Sequence, residues 1–172
     1  MAHPSKAKGD RAELEAVAWF KQTIPDLVVW DAQRMLGAGR AEDIGDLKVF
    51  ADVAIQVKAY KDSSLSAGLY QAASGATLQA ARARHPFAVG MVLVPRARAN
   101  QVRWAASADS WPTADVELVA HTSSLNALAA VRAAGVESLL VTVVNRKGAA
   151  PIRISSMQTW LAAYRAASPN AN

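Results

Sequence analysis

The chain has 172 residues, 52% of them hydrophobic and 19% charged, a balance that suits one domain with a full core and excludes a disordered chain. It contains no cysteine, which excludes a disulfide scaffold, a Cys-ligated zinc site and a cysteine-held iron–sulfur cluster. The net charge of +5 is unevenly placed: residues 63–108 carry Arg82, Arg84, Arg96, Arg98 and Arg103 and no acid, directly after an acid-rich stretch. A basic face beside clustered carboxylates suits a protein that holds a polyanion and places a metal on it. No run approaches the roughly 20 apolar residues of a membrane span, and the N-terminus lacks the apolar core of a signal peptide. A soluble, cytoplasmic protein without membrane partners is expected.

Residues 1–8 read as a flexible basic lead-in. Asp10 is a good N-cap and Glu13, three residues on, completes a capping-box pattern. Leu14, Val17, Ala18 and Phe20 then give a helical apolar face that Pro25 closes, placing helix one at 10–23. Leu27–Trp30 reads as a strand. Residues 35–45, with Gly37, Gly39 and Gly45, read as a loop without the GKS/T pattern of a phosphate cradle. Residues 46–50 and 53–58 alternate with period two, and the short Ala51-Asp52 link predicts an antiparallel hairpin. Gln56 and Lys58 share one strand face.

Ser63 or Ser64 caps a helix over 64–84, with Leu65, Leu69, Ala72 and Ala76 inward and Tyr70, Gln71 and Ser74 elsewhere. Phe87–Val94 is a continuous apolar run, hence a central strand buried on both faces. Strands follow at 101–105, 116–119, 138–144 and 152–154, with a loop over 107–112. A helix at 125–134 stops at Gly135, a turn spans 145–148, and a helix capped by Ser155 or Ser156 runs to Ala167. The order αβββαβ and onward describes an α/β domain around a mixed sheet, 9–167, in which 9–100 is the core, 101–167 a C-terminal elaboration and 168–172 a tail.

The hairpin carries the chemistry. Folding it brings Asp46, at the start of one strand, near Gln56 and Lys58 on the other, and Glu13 is a carboxylate that reaches them from helix one. Mg²⁺ takes hard oxygen ligands, which Glu13 and Asp46 supply as carboxylates and Gln56 and the Val57 backbone carbonyl as neutral groups. Lys58 would orient the attacking water or stabilise charge in the transition state of phosphodiester hydrolysis.

Three motifs carry a resemblance. Lys8-Gly9-x-x-x-Glu13 resembles an opening K-G-x-x-x-E, Asp43-Ile44-Gly45-Asp46-Leu47 resembles D-x-G-D-[IL], and Ile55-Gln56-Val57-Lys58 resembles a hydrophobic-E-V-K strand. These are motifs of the PD-(D/E)XK nuclease superfamily, within it the archaeal- and phage-type Holliday junction resolvases, and the likeness covers residues 8–98. It implies a restriction-endonuclease-like fold, a central mixed β-sheet flanked by helices. It also implies Mg²⁺ as cofactor, with Mn²⁺ as a substitute, a four-way DNA junction as substrate, and a homodimer. Glu13, Asp46, Gln56 and Lys58 then form the catalytic set, with Val57 joining the first three around the metal. Arg40, Gln71, Arg82, Arg84, Arg96 and Arg98 are the expected DNA contacts. Gln56 departs from the family's usual Glu and removes one negative charge from the metal site.

Each residue also has a plainer role. Glu13 is a helix cap, with Glu15 the fallback ligand; Asp46 and Asp43 are loop acids; Lys58 is an exposed strand lysine; Gln56 is an edge polar residue. Tyr70 and Gln71 are surface residues, His85 ends a helix, and His121 and the tryptophans are structural. Three functions follow: a junction resolvase, another nuclease of the superfamily acting on duplexes, flaps or ends, or a DNA-binding module that kept the fold and lost the chemistry.

Overall fold

A computed structural model of the chain describes residues 4–35 and 45–168. The first helix, α1, spans Pro4–Thr23 and so begins six residues ahead of the expected start. Proline is at home in the first turn of a helix, where its missing N–H is not needed. Asp10 therefore lies inside the helix rather than at its cap, the capping box does not form, and residues 4–8 are not a flexible lead-in.

Leu27–Trp30 is not a strand. Leu27 N–H donates to Ile24 O at 3.0 Å and Ala32 N–H to Val29 O at 3.0 Å, so two successive turns occupy the segment. Leu27 and Val28 still pack on the core from this irregular backbone, while Trp30 stands 96% exposed. Their apolar character reflects loop burial, which has no period to distinguish it from a strand.

The strands are β1 (Gln33–Arg34), β2 (Leu47–Lys48), β3 (Val53–Lys58), β4 (Phe87–Leu93), β5 (Trp104–Ala108), β6 (Leu118–His121), β7 (Val141–Arg146) and β8 (Ala149–Ser156). The further helices are α2 (Leu65–Ala83), α3 (Ser124–Ala134) and α4 (Met157–Ala167). Among the described residues the strands form one eight-stranded mixed sheet, ordered β1-β2-β3-β4-β5-β8-β7-β6. β2 and β3 form the expected antiparallel hairpin, with Leu47 opposite Ile55. β3 and β4 are parallel and joined across the sheet by α2; β6 and β7 are parallel and joined by α3.

Each face of the sheet is covered, which makes the domain three-layered. On one face α1 and α4 pack Phe20, Trp160 and Tyr164 over Val53, Ile55, Val57, Val89, Met91 and Trp104. On the other, α2 and α3 pack Leu69, Ala72 and Leu128 over Val92, Ala105, Ile152 and Ile154. The C-terminal third is thus part of the same sheet and of both cores. β5 begins three residues later than the expected strand at 101–105, because Gln101 N–H closes a turn on Arg98 O and the chain first meets β4 where Val94 N–H bonds Arg103 O. β6 and β7 likewise begin two and three residues later than expected, and β8 is longer at both ends.

Beyond α1, three helix ends carry the expected residues, one of them without a side-chain bond. Ser156 Oγ accepts from Thr159 N–H at the start of α4, and Gly135 ends α3. Ser64 occupies the cap of α2 without a side-chain bond, because a 3₁₀ turn over Asp62–Ser64 leads into the helix. Ser168 belongs to no loose tail: it is buried, and its Oγ donates to Asp52 Oδ2 at 3.1 Å. Among the described residues no helix is long and apolar enough to cross a membrane.

Candidate active site

Asp46 is fixed by its own backbone before its side chain does anything. Its N–H donates to Ile55 O at 2.9 Å, and its carbonyl accepts from Met35 N–H at 2.7 Å, so it is hooked to β3 on one side and to the end of β1 on the other. Gly45 before it has φ +134°, a conformation that side chains rarely adopt and that glycine allows. The register Leu47↔Ile55 sets Asp46 against Gln56, ten residues away in sequence.

The Asp46 carboxylate reaches β3 with Oδ2, which accepts the Val57 backbone N–H at 2.7 Å and the Gln56 side-chain Nε2. Gln56 is buried, and its Oε1 points away from Asp46 toward Gly75 of α2. The amide thus turns its donor, not its oxygen, to the acid, and Val57 contributes its N–H. Lys58 lies two residues on, half-buried, and makes no hydrogen bond or ion pair among the described residues.

Glu13 comes in from α1. Burial first, and the negative charge of Asp46 second, push its carboxyl above the ordinary value of 4.5, against the opposing pull of Arg34. Arg34 Nε donates to Glu13 Oε2 at 2.8 Å and its Nη2 to Asp10 Oδ1 at 2.6 Å. Asp46 thus meets Gln56 and Val57 near the end of β3, Glu13 feels its charge from α1, and Lys58 ends the strand on the Gln56 face. Arg34 and Asp10 are members that sequence reasoning missed. Arg34 is 21 and 24 residues from its two partners and on a two-residue strand, so no spacing announces it.

The arginines do not form one face. Lys58 pairs with Val92 near the end of β4, and Arg96 and Arg98 follow from that same end. α2 runs back along the sheet, so Arg82 and Arg84 stand where β4 begins, about 20 Å away along a seven-residue strand. Arg84 itself forms the left-handed cap of α2. Arg96 pairs with Asp62, and Arg103 with Glu15 at 2.7 Å. Gln71 is exposed and its Oε1 accepts from Tyr60. Arg40, Asp43, Gly37 and Gly39 lie outside the described residues. A separate cleft lined by Met35, Leu47, Phe50 and His85 contains none of the four catalytic candidates.

Among the described residues no three His, Cys, Asp or Glu side chains form a ligating group. The donor set is two carboxylates, Glu13 and Asp46, whose mutual repulsion contributes to the raised Glu13 pKa. That set fits Mg²⁺, which is commonly held by one or two carboxylates with water and substrate phosphate completing the shell. It does not fit a closed protein cage. No family pattern, curated protein or solved structure matches this chain.

Proposed function

We propose that the chain is a cytoplasmic, Mg²⁺-dependent DNA endonuclease of the PD-(D/E)XK type whose substrate is a branched four-way junction. The observation that carries the reading is the Asp46 carboxylate held against β3 by Gln56 Nε2 and Val57 N–H, with Glu13 of α1 near enough to feel its charge. Glu13 and Asp46 would hold the metal, which when bound supplies an acidified water and neutralises charge on the phosphate. Val57 N–H and Gln56 Nε2 hold Asp46 in one orientation. Lys58, half-buried at the end of β3, would donate to a phosphate oxygen or orient the attacking water. Arg96 and Arg98 leave the sheet at the same end and would contact the backbone of the nucleic acid. Resolving a junction takes two incisions, so a two-fold homodimer is part of the proposal.

A specific observation favours a second reading, a DNA-binding module without cleavage. Gln56 offers Asp46 an amide donor where the family has a carboxylate, and Glu13 is already engaged by Arg34. The experiment is cleavage of a labelled four-way junction and of its linear arms, with Mg²⁺, Mn²⁺ or chelator, by wild type and Asp46→Asn. Paired nicks in the junction alone, lost with chelator and in the variant, are expected. Equal cutting of linear duplex would make the chain a general nuclease. Tight junction binding without cutting would establish the second reading, and neither binding nor cutting would overturn both.

A further inference from the structure

Arg34 is the centre of charge in this site. Its side chain, 21% exposed, bridges Asp10 and Glu13 of α1 from β1, and Asp46 stands on the adjoining segment ahead of β2. β1 is two residues long and lies at the sheet edge, tied to β2 by Gln33↔Lys48 and Arg34↔Leu47. Resting on the reading of this site as a metal-dependent nuclease, we propose that Arg34 is a built-in counter-ion that competes with the divalent cation for Glu13 and is drawn off by the phosphodiester.

The argument is one of charge and shape. Two neighbouring carboxylates disfavour each other's ionisation unless a cation stands between or beside them. Arg34 supplies that cation permanently, because a guanidinium does not lose its proton in a protein. A divalent ion entering next to it meets a fixed positive charge and an oxygen, Glu13 Oε2, that already accepts a hydrogen bond. Phosphate presents the same two-oxygen geometry to a guanidinium as carboxylate does. A bound backbone phosphate therefore offers Arg34 an alternative partner and frees Glu13 as it does so. Cation and polyanion then favour each other's binding, and the coupling is reciprocal.

A plain bracing role predicts the opposite sign, since Arg34 would then hold Glu13 in place for the cation and its loss would weaken binding. The test is Mn²⁺ binding to the full chain without nucleic acid, read by the electron paramagnetic resonance of free Mn²⁺. Wild type, Arg34→Gln, Arg34→Lys and the Arg34→Gln/Glu13→Gln double variant are compared. Arg34→Gln is expected to bind about tenfold more tightly than wild type, Arg34→Lys to stay near wild type, and the double variant to lose the gain. Equal or weaker binding by Arg34→Gln overturns the inference and leaves the metal site standing. Binding by none of the proteins overturns the metal reading together with it. A measurement on wild type alone covers failure of the variant to fold: the Arg34 Nε–H resonance is followed through a Mg²⁺ titration. It is expected to shift as its bond to Glu13 breaks; a resonance that does not move while Mg²⁺ binds overturns the competition.

Discussion

The Oε1 of Gln56 lies 2.8 Å from the point where a Cβ on Gly75 would stand. The two residues come from β3 and the middle of α2, and the missing side chain of one makes room for the amide of the other. A glycine inside a helix costs up to about 1 kcal/mol relative to alanine, so its presence is tied to what it accommodates. Gly75→Ala is expected to leave Tm within about 4 °C of wild type, the helix gain offsetting the contact, because the far end of a glutamine yields easily. The displaced amide presses on Asp46, and junction cleavage is expected to fall about tenfold. In a Gln56→Ala background the same change should have no further effect on cleavage. Additive losses in the double variant would show that Gly75 acts elsewhere.

Gln56→Glu puts a carboxylate where the amide stands, at the cost of the donor. The new carboxylate faces Asp46 Oδ2, which now accepts from Gln56 Nε2 and Val57 N–H. Two acids in contact resist joint ionisation, so the variant is expected to melt several degrees below wild type at pH 8 with chelator. Mg²⁺ at about 10 mM should restore the loss, since a ligand bound to the folded state alone stabilises it. Thermal melts with and without Mg²⁺ measure both. A melting point indifferent to Mg²⁺ would argue that position 56 does not face the metal.

Glu13 gives a pH signature. Its folded pKa is raised above 4.5, chiefly by burial and then by Asp46, so the folded state holds the proton more firmly than the unfolded chain does. The stability this contributes is fully present below 4.5 and is lost as pH rises through the raised value. Glu13→Gln keeps an oxygen for Arg34 and removes the charge. It is expected to raise Tm by about 2 °C or less at pH 7–8, because Arg34 already offsets part of the cost of burying the charge, and the gap should close as pH falls toward 4.5. Melts from pH 4 to 8 test it, and a variant less stable at every pH would show that the ion pair with Arg34 outweighs burial.

The sequence spoke clearly where one short segment contains both the pattern and its partner. The period-two run 53–58 is β3 to the residue, and Asp46 meets Gln56 because a hairpin of ten residues leaves little choice of register. Ser156 and Gly135 are local signals and stand where expected. β1 and β2 are two residues each, too short for any period. Burial on both faces also hides information: α2 covers Gln56 while α1 covers Val57, so β3 is buried at five of six positions although its sequence alternates. Asp10 and Glu13 match a capping box as local sequence, yet a partner 21 residues from Glu13, Arg34, binds both side chains inside the helix.

The split arginines separate two surfaces by experiment. Removing a side chain that neutralises one phosphate lowers the slope of log affinity against log salt by about one. Arg96→Ala and Arg98→Ala, at the end where β4 finishes, are each expected to weaken junction binding and lower that slope. Arg82→Ala and Arg84→Ala, at the end where β4 begins, should leave both unchanged. Titrations at several salt concentrations decide it, and a slope that responds equally to all four would mean that the nucleic acid wraps the whole sheet.

Tyr164 holds the far end of the sheet together. Its hydroxyl donates to Asp52 Oδ1 at 2.6 Å, and Ser168 bonds the other carboxylate oxygen. The ring stacks on Trp160 at 5.4 Å and meets Phe87 edge-on at 5.3 Å. Phenylalanine keeps that packing and deletes one hydrogen bond to a buried carboxylate, a loss of about 1.5–3 kcal/mol. Tyr164→Phe is therefore expected to lower Tm by roughly 3–10 °C at pH 7. Burial, then the bond to Asp52, push the Tyr164 pKa above its ordinary 10.0, so this stability is fully present below pH 10 and is lost as pH rises through the folded value. The gap between wild type and variant should narrow above pH 10. Asp52 stands at the start of β3 and the catalytic candidates at its end, so junction cleavage at 25 °C should be the same in both proteins. A variant as stable as wild type would mean that the other contacts of Asp52 suffice, and a loss of cleavage without a loss of Tm would tie this end of the sheet to the site.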